Sequence, residues 1–401
     1  MAFSQDEVTR IISEEAYSVR VENVAGVRRY DGAQLPANSP CEDRFMHEKF
    51  ASPWRDGREW MAWAVFDGHS GWQTAELLEE QLLPFVRDSL GRVVSSEESG
   101  SAELVARAIV RGFVDLDDSI IKTTLDEVSR SNESFRVRVE RLAPAYAGSC
   151  ALLSIYDSAT GTLHVACTGD SRAVLGQKGP DGTWEVVPLS VDQTGSNKEE
   201  VDRLRREHRG EEHLVQNGRV LGLMVSRAFG DSKWKWPLEV QRDMHQDFYG
   251  PDPLWPRYDF RTPPYLTAEP VVTSTKMDPS KPSFLIMATD GMWDMLSNQQ
   301  AVDLVAQWLE SRVAERTSQS GPTDEPFDFG QFYGVNWKLA ERTTIQDDNA
   351  AVHLLRNSLG GNDHELVSGR LGGISPSARH LRDDMTVQVV FFDGPWKTNC
   401  N

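Results

Sequence analysis

The chain has 401 residues, and 42 Lys and Arg against 61 Asp and Glu give it a formal net charge of −19 at pH 7. With 39% hydrophobic and 26% charged residues, it has the composition of a globular protein with a large core. The negative charge disfavours binding to nucleic acid or anionic membranes, and no apolar run reaches the roughly 18 residues of a membrane-spanning helix.

Predicted helices and strands alternate irregularly along the chain. Hydrophobic periodicity predicts helices at residues 72–90 and 102–128, and further helices are expected at residues 4–17, 198–208, 298–314 and 335–355. Runs rich in β-branched and aromatic residues predict strands at residues 60–66, 150–156, 163–167, 173–175, 284–288 and 387–392. Asn197 with Glu200, and Ser297 with Gln300, are expected to form capping boxes. Without regular βαβ alternation, the pattern favours antiparallel sheets with helices on their outer faces.

The cysteines exclude two common kinds of structural site. They are far apart and form no Cys-x-x-Cys pair, which argues against a zinc site and a disulfide framework. The four are Cys41, Cys150, Cys167 and Cys400, and of these Cys150 and Cys167 lie in apolar runs that predict burial. The N-terminal residues resemble neither a signal peptide nor a transit peptide, so they carry no readable address.

Carboxylates stand at the ends of predicted strands. They are Asp67, Asp170, Asp290 and the pair Asp383-Asp384, together with the early pair Glu42-Asp43. One Asp-Gly after a strand is typical of a turn, but several such ends would line one cleft if the strands are neighbours. Like charges that close need cations, and oxygen ligands favour Mg²⁺ or Mn²⁺ over zinc or copper.

The segment Asp67-Gly68-His69 suits metal-assisted phosphate hydrolysis. Because Gly68 has no side chain, its carbonyl and the Asp67 carboxylate can approach the same ion. Two ions about 3.5–4 Å apart can share a bridging carboxylate and a bridging water, whose lowered pKa supplies hydroxide for in-line attack on phosphorus. His69 could protonate the leaving alkoxide. The alternative is a turn histidine bonded to a carboxylate or to the backbone.

Two acidic or basic stretches have ordinary interpretations. Asp115-Leu-Asp117-Asp118 begins like a calcium loop but lacks its glycine, and an exposed acidic helix face is expected. Lys233-Trp-Lys-Trp236 is too short to bind nucleic acid in so acidic a chain. It is expected to be a local docking surface or aromatic packing under a loop.

Seven motifs occur in order from about residue 40 to residue 392. They are Glu42-Asp43-Arg44, Val65-Phe-Asp-Gly-His-Ser-Gly71, Gly148-Ser-Cys-Ala151, Thr168-Gly-Asp-Ser-Arg172, Ser226-Arg-Ala-Phe-Gly-Asp231, Ala288-Thr-Asp-Gly-Met-Trp-Asp294 and Asp383-Asp-Met-Thr386. Together they resemble the metal-dependent Ser/Thr protein phosphatases of the type 2C class. Residues 34–44 and 226–236 are similar to the mitochondrial pyruvate dehydrogenase phosphatase branch in particular.

The resemblance implies an α+β fold. This is an αββα sandwich of two antiparallel β-sheets flanked by helix pairs. It also implies a single catalytic domain over residues 1–401, with loop insertions near residues 232–265 and 318–334. In the first of these, residues 242–264 carry five prolines and fit neither a helix nor a strand.

The resemblance further implies ligands for two divalent ions, Mg²⁺ or Mn²⁺. Asp67 would bridge both ions, and the Gly68 carbonyl would bind one of them. Asp290 and Asp383 would complete the ligands of one ion. Asp383 is preferred over Asp384 because the family motif is Asp, any residue, then Met.

The remaining roles also follow from the resemblance. Glu42 and Asp43 would bind metal directly or through water. Asp170 and Asp294 match positions associated with a third, weaker metal, and His69 would be the general acid. The resemblance leaves open whether residues 226–231 act in the site or form a structural turn.

Position 38 departs from the commonest pattern. Many members carry an Arg four residues before the Glu-Asp pair, where it grips the substrate phosphate, whereas this chain has Asn38. The pyruvate dehydrogenase branch is similar in having Asn there. Phosphate would then rest mainly on metals and their waters, without the bidentate contact. We expect weaker affinity for small aryl phosphates, with protein docking supplying the missing binding.

The implied activity is hydrolysis of phosphoserine and phosphothreonine in proteins by a metal-bridged hydroxide. The branch implies activation of the pyruvate dehydrogenase complex as its task, with pyruvate dehydrogenase and the lipoyl-bearing acetyltransferase core as partners. It also implies the mitochondrial matrix, with the leader absent from this chain. The alternatives are a general cytoplasmic or nuclear stress-signalling phosphatase, and an inactive phosphatase-fold scaffold.

Overall fold

The structure is a computed structural model that describes residues 3–93, 101–314, 342–373 and 377–394. The chain divides into two compact units. Unit 1 consists of Met1–Asp43, Ala173–Leu189 and Met277–Asn401, and unit 2 of Arg44–Arg172 and Ser190–Lys276.

The strands of the described ranges are, in chain order, β1 Tyr17–Arg20, β2 Val27–Leu35, β3 Arg44–Ala51, β4 Glu59–Phe66, β5 Gly68–His69, β6 Gly148–Ser149, β7 Ala151–Asp157, β8 Thr162–Thr168, β9 Arg172–Lys178, β10 Trp184–Pro188, β11 Val215–Gln216, β12 Arg219–Val220, β13 Phe229–Gly230, β14 Val271–Lys276, β15 Ser283–Ala288 and β16 Met385–Phe392.

The α-helices are α1 Gln5–Ser13, α2 Gln73–Val93, α3 Ala102–Asp118, α4 Thr124–Arg130, α5 Phe135–Tyr146, α6 Lys198–Glu207, α7 Ser232–Lys235, α8 Leu238–Phe248, α9 Asp290–Trp293, α10 Asn298–Ala314, α11 Ala350–Leu359 and α12 His364–Leu371. A π-helical turn spans Ser119–Thr123, and a 3₁₀ turn spans Ser377–His380.

Unit 1 is built on a six-stranded sheet in the order β1-β2-β16-β15-β9-β10. Strand β16 pairs antiparallel with both β2 and β15. Alternate sheet residues such as Ala33, Val387 and Val389 are fully buried in one core with apolar residues of α1, α10, α11 and α12. Because successive strand residues point to opposite faces, this alternation directs one face of the sheet towards the helices. Helices α10 and α11 pack against each other.

Unit 2 is built on a five-stranded sheet in the order β14-β8-β7-β4-β3, with antiparallel pairing throughout. Its core joins alternate residues of β4, among them Trp60 and Phe66, to the apolar faces of α2 and α3, which pack against each other. A small three-stranded sheet, β13-β6-β5, and the β11-β12 pair belong to the same unit.

Most elements predicted from apolar patterns are confirmed. All six predicted strands are present, and the predicted apolar faces of α2 and α3 are buried, including Leu78, Ile109 and Phe113. Strands with mixed composition, such as β1, β3 and β14, were not predicted because at least half of their residues are polar, and at most one residue in each is buried. Helix α10 has the predicted bounds and the predicted capping box, in which Ser297 and Gln300 exchange hydrogen bonds.

Three local predictions are wrong. The predicted helix at residues 335–355 is not helical from residue 343 to 349, and α11 begins only after Asn349, whose side chain caps it. The part at 335–341 lies outside the described residues, as does the predicted loop at 318–334. The predicted loop at 242–264 begins inside helix α8, which ends at Phe248.

The third wrong prediction is the second capping box. Asn197 caps α6, but it accepts from the Glu199 N–H, and Glu200 does not close the box. The Glu200 carboxylate instead accepts hydrogen bonds from Arg203, Arg227 and the Ser226 hydroxyl at 2.7–3.2 Å. Ion pairing with two arginines therefore outcompetes a single backbone N–H. Burial alone would raise its pKa, but the hydrogen bonds from Arg227, Arg203 and Ser226 lower the pKa of Glu200 to about 2.

Among the described residues, no helix combines the length and the apolar character that crossing a bilayer requires.

The Glu200 ion pairs predict a large loss of stability on truncation. Glu200→Ala leaves two arginines without their buried partner, and we expect the free energy of unfolding to fall by about 3–5 kcal/mol. In the wild type this contribution is complete above the ordinary Glu pKa of 4.5 and is lost as the pH falls towards 2. Urea unfolding at pH 7 measures the loss. The exposed neighbour Glu199→Ala is the control, with an expected loss below about 1 kcal/mol, and equal losses would contradict the prediction.

Candidate active site

Three neighbouring strands of unit 1 carry carboxylates at one edge of the sheet. Leu35 at the end of β2 pairs with Met385 at the start of β16, and Ala288 at the end of β15 pairs with Val387. The chain just beyond these ends supplies Glu42, Asp43, Asp290, Asp383 and Asp384, which we call the unit 1 carboxylate cluster. The sequence prediction that strand ends bring these residues together therefore holds within unit 1.

Asp43 is the most enclosed member of the cluster. Its Oδ2 accepts from the hydroxyls of Thr289 and Thr386 at 2.8 and 2.7 Å. Burial raises the pKa of Asp43 well above its ordinary value, and the nearby charges of Asp384 and Asp290 raise it further. An additional negative charge here is therefore costly unless a cation is near.

Asp384 has a structural role. Its carboxylate accepts the backbone N–H groups of Ala37, Asn38 and Glu42 and also the Asn38 side-chain amide. Burial opposes ionisation, but these hydrogen bonds lower the pKa of Asp384. One buried carboxylate thus ties residues 37–42 to the start of β16.

Asp383 lies on the more exposed side of the same strand start. The exposed fraction of its side chain is 31%. Its Oδ1 accepts the Asp384 N–H at 2.8 Å, and its Oδ2 is 3.3 Å from Arg379 Nη2. Both oxygens of Asp384 are committed to N–H donors of residues 37–42, whereas Asp383 has a partly exposed carboxylate beside Arg379.

Asp290 and Asp294 lie one helical turn apart. Asp290 begins α9, and the Asp294 N–H donates to the Asp290 carbonyl at 2.8 Å. The next residue, Gly291, lies against the backbone of Asp384, where a Cβ would come within 2.2 Å of the Asp384 carbonyl oxygen. Only glycine allows this approach, which explains the Asp-Gly motif. The Asp294 side chain is exposed.

Two strands of unit 2 also carry carboxylates at one edge. Asp67 follows β4 and Asp170 follows β8, and both strands pair with β7 between them. Carboxylate oxygens of Asp67 and Asp170 lie within 4.8 Å of each other. The Asp67 carbonyl accepts the Cys150 N–H, and Gly68 pairs with Ser149 of β6.

The thiol of Cys150 lies beside the carboxylate of Asp170 and stays neutral there. Asp170 is buried and accepts from the Cys150 thiol at 3.3 Å. Burial raises the pKa of Asp170 to about 6. Burial also raises the pKa of the Cys150 thiol well above its ordinary value, and the nearby carboxylates of Asp170 and Asp67 raise it further. The thiol therefore stays protonated and does not act as a thiolate ligand. The ligand atoms available at both edges are carboxylate and carbonyl oxygens, which fit Mg²⁺ or Mn²⁺.

His69 forms a pair with Asp231. The alternative interpretation from sequence, a histidine bonded to a carboxylate, allows for such a contact, but the sequence did not identify the partner. The imidazole Nε2–H donates to Asp231 Oδ2 at 2.7 Å. Gly148 lies directly beside the pair, and a Cβ there would be 2.2 Å from His69 Nε2 and 2.5 Å from Asp231 Oδ2. The motif Gly148-Ser-Cys-Ala151 therefore leaves room for this pair.

Asp231 is held in a strained and buried position. Its backbone is left-handed, with φ 50° and ψ 43°, its exposed fraction is 1%, and its Oδ1 has no hydrogen-bond partner in the described ranges. A strained residue with an uncompensated buried oxygen needs support from its surroundings. A single sequence does not indicate this left-handed conformation, because the residue that adopts it is an Asp and not a glycine.

Asp117 and Lys235 provide that support. The Lys235 ammonium donates to both Asp117 oxygens and to the Ala228 carbonyl at 2.7 Å, and Asp117 also accepts the Gly230 N–H. The prediction that Asp117 lies on an exposed acidic face is therefore wrong, because this buried pair fixes both ends of residues 228–235. Trp234 and Trp236 are buried, as the packing interpretation of this motif predicted.

Comparison with known proteins places these motifs in a family. Residues 35–321 match the family "Protein phosphatase 2C". The chain is 41% identical over 394 residues to a protein phosphatase 2C homologue of Schizosaccharomyces pombe, covering 97% of this chain and 85% of that protein. It is 35% identical over 406 residues to the mitochondrial [pyruvate dehydrogenase [acetyl-transferring]]-phosphatase 1 of Saccharomyces cerevisiae, covering 93% and 70%.

Solved structures show the same fold. The serine-threonine phosphatase 2C of Toxoplasma gondii is similar with a TM-score of 0.54 at 19% identity, covering 94% of this chain and 99% of that one. The expected α+β fold, the αββα sandwich of two antiparallel sheets flanked by helix pairs, is confirmed.

Proposed function

The chain belongs to the protein phosphatase 2C family and is a protein Ser/Thr phosphatase, and we propose that it hydrolyses phosphoserine and phosphothreonine with two divalent ions, Mg²⁺ or Mn²⁺. One observation carries this proposal. In each unit, carboxylates that are far apart in sequence stand at one edge of a sheet, where their repulsion calls for cations. The family's dependence on metal supports the same interpretation.

We propose Asp67, the Gly68 carbonyl, Asp290 and Asp383 as the metal ligands. The structural task of Asp384 supports the choice of Asp383 in its pair. We further propose Glu42 and Asp43 as ligands that bind directly or through water. A third ion would use Asp170 and Asp294, and the proximity of Asp170 to Asp67 supports the first of these.

The protein side chains would manage protons and orientation. When bound, divalent ions supply an activated water and neutralise charge on the phosphoryl group. His69 would act as the general acid that protonates the leaving serine or threonine oxygen. Asp231 Oδ2 accepts the Nε2 proton of His69, which orients the imidazole, and a proton on its other nitrogen, Nδ1, would be the one delivered.

For the substrate we propose phosphorylated pyruvate dehydrogenase, with the lipoyl-bearing acetyltransferase core as a partner and the mitochondrial matrix as the place of action. Support comes from relatives in yeast and human, named mitochondrial pyruvate dehydrogenase phosphatase 1, that are 35% and 32% identical. The second candidate is a general cytoplasmic or nuclear phosphatase. It is favoured by the fission yeast relative, which at 41% identity carries the family name alone.

The enzyme is expected to lose its activity when Asp67 is neutralised. Asp67→Asn should abolish manganese-dependent phosphate release from a phosphoserine peptide, because a carboxylate that would hold the metal ions is lost. The exposed Asp56→Asn is the matched control and should retain wild-type rates. Wild-type protein that releases no phosphate with any divalent ion would overturn the proposed function and would favour the scaffold alternative.

The substrate proposal predicts a preference for one phosphoprotein. Phosphate release from phosphorylated pyruvate dehydrogenase should be faster than from phosphorylated casein at equal concentrations, and addition of the acetyltransferase core should widen the difference. Asp67→Asn provides the background rate on both substrates. Equal or slower release from pyruvate dehydrogenase would favour the general phosphatase instead.

The His69–Asp231 pair predicts a change in the pH profile. Asp231→Asn removes the charge that stabilises the imidazolium, so the alkaline limb of the kcat profile should move to lower pH. The rate at pH 8 should fall by about ten- to a hundredfold, a fraction of what general acid catalysis contributes. A uniform loss at every pH, with an unchanged profile, would show that Asp231 only supports the fold.

A further inference from the structure

An exposed arginine stands in the unit 1 carboxylate cluster. Arg379 lies in the 3₁₀ turn Ser377–His380, and the exposed fraction of its side chain is 47%. Its Nη1 donates to Glu42 Oε2 at 3.1 Å, and its Nη2 is 3.3 Å from Asp383 Oδ2. One guanidinium therefore spans two carboxylates that the proposed function assigns to metal binding.

Arg379 and Asn38 meet at the same atom. Asn38 Nδ2 donates to Glu42 Oε2 at 3.2 Å, and Arg379 Nη1 donates to that oxygen at 3.1 Å. A guanidinium thus stands beside the side chain of position 38, although position 38 itself carries no charge. Arg379 comes from a segment that is 337 positions away from Glu42 in the sequence.

The neighbouring Arg382 shows a different environment. Its exposed fraction is 7%, and its Nη2 donates to the Pro36 carbonyl at 2.7 Å. A buried arginine that binds a backbone carbonyl serves to hold a loop. Arg379 is about half exposed and binds carboxylates, so its guanidinium is accessible to a ligand that approaches the cluster from solvent.

The charge of Arg379 is secure. An arginine guanidinium stays protonated in proteins, so Arg379 brings a positive charge to the two carboxylates. A guanidinium has five N–H donors in a planar fork that matches two oxygens of a phosphoryl group. Two contacts to carboxylates leave donors for an anion.

We propose that Arg379 is a phosphate-binding residue. Its guanidinium binds an oxygen of the substrate phosphoryl group beside Glu42 and Asp383, and it replaces the arginine that position 38 lacks. This inference rests on the proposed function, and it adds a protein contact to the expectation from sequence that the phosphate rests mainly on metals and their waters.

The test compares four variants with wild type. Arg379→Ala removes the guanidinium, Arg379→Lys keeps a charge without the fork, and Arg379→Ala/Asn38→Arg returns a guanidinium from the neighbouring position. Arg20→Ala is the control for loss of one positive charge. Arg20 is exposed and lies opposite Arg29 in the sheet, six residues along β2 from Leu35, the end of the strand that leads to the carboxylate cluster. The readouts are KM and kcat for p-nitrophenyl phosphate with Mn²⁺, calorimetric binding of inorganic phosphate, and Mn²⁺ binding followed by tryptophan fluorescence.

Arg379→Ala should raise KM and the dissociation constant of inorganic phosphate by about ten- to a hundredfold, the effect of a lost charge-assisted contact. The lysine variant should lie between alanine and wild type, and the double variant should recover most of the loss. Mn²⁺ affinity should not fall, since the removed group is itself a cation. Arg20→Ala should match wild type in every readout.

Unchanged KM and phosphate affinity in Arg379→Ala would overturn the inference. A loss of Mn²⁺ affinity large enough to explain the higher KM, or a double variant that recovers nothing, would also overturn it. Calorimetry needs no turnover. Phosphate binding that depends on Arg379 in a protein that hydrolyses nothing would therefore contradict the proposed function and leave this inference supported.

Discussion

Mutual repulsion of carboxylates is the constraint on which the site depends. Hydrogen-bond donors lie against three of these carboxylates and hold them in place. Asp384 receives three backbone N–H groups and an amide, Asp43 receives two hydroxyls, and Asp170 receives a thiol. Neutral donors can hold such charges in place without cancelling them. A net negative potential therefore remains at each sheet edge. This potential would favour divalent cations, and in unit 1 it is met by the guanidinium of Arg379.

The segment from Ser226 to Lys235 is organised by a related principle. Two buried ion pairs, Glu200 with Arg227 and Asp117 with Lys235, fix it on either side of Asp231. Buried pairs of this kind contribute little net stability, but breaking one is costly. They are suited to holding one residue in an unfavourable backbone conformation, which Asp231 requires in order to reach His69.

Much of this could be predicted from sequence, and the failures have physical causes. The strands that are apolar throughout, and the acids at their ends, were visible because burial and turn chemistry are local signals. Strand β3 was missed since half of its residues are polar, and Glu200 was misassigned because two of its partners, Ser226 and Arg227, come from another segment of the chain. The identity of Asp231 as the partner of His69, and the place of Arg379, were beyond prediction for the same reason. His69 and Asp231 are 162 positions apart in the sequence, and Arg379 and Glu42 are 337 positions apart. Contacts over such separations leave no periodic pattern in a single sequence.

Asp383 and Asp384 are chemically identical neighbours with different tasks. Consecutive residues entering a strand project to opposite sides, so one carboxylate meets the backbone of residues 37–42 while the other meets Arg379. Their order along the chain therefore carries information that their identity does not. In this chain, an Asp at the first position of the pair and a hydrogen-bond acceptor at the second are separate requirements. A variant with one acid at the wrong position of this pair would still place a carboxylate near the site. That carboxylate would face the opposite side of the strand and could not take over the contacts of the missing one.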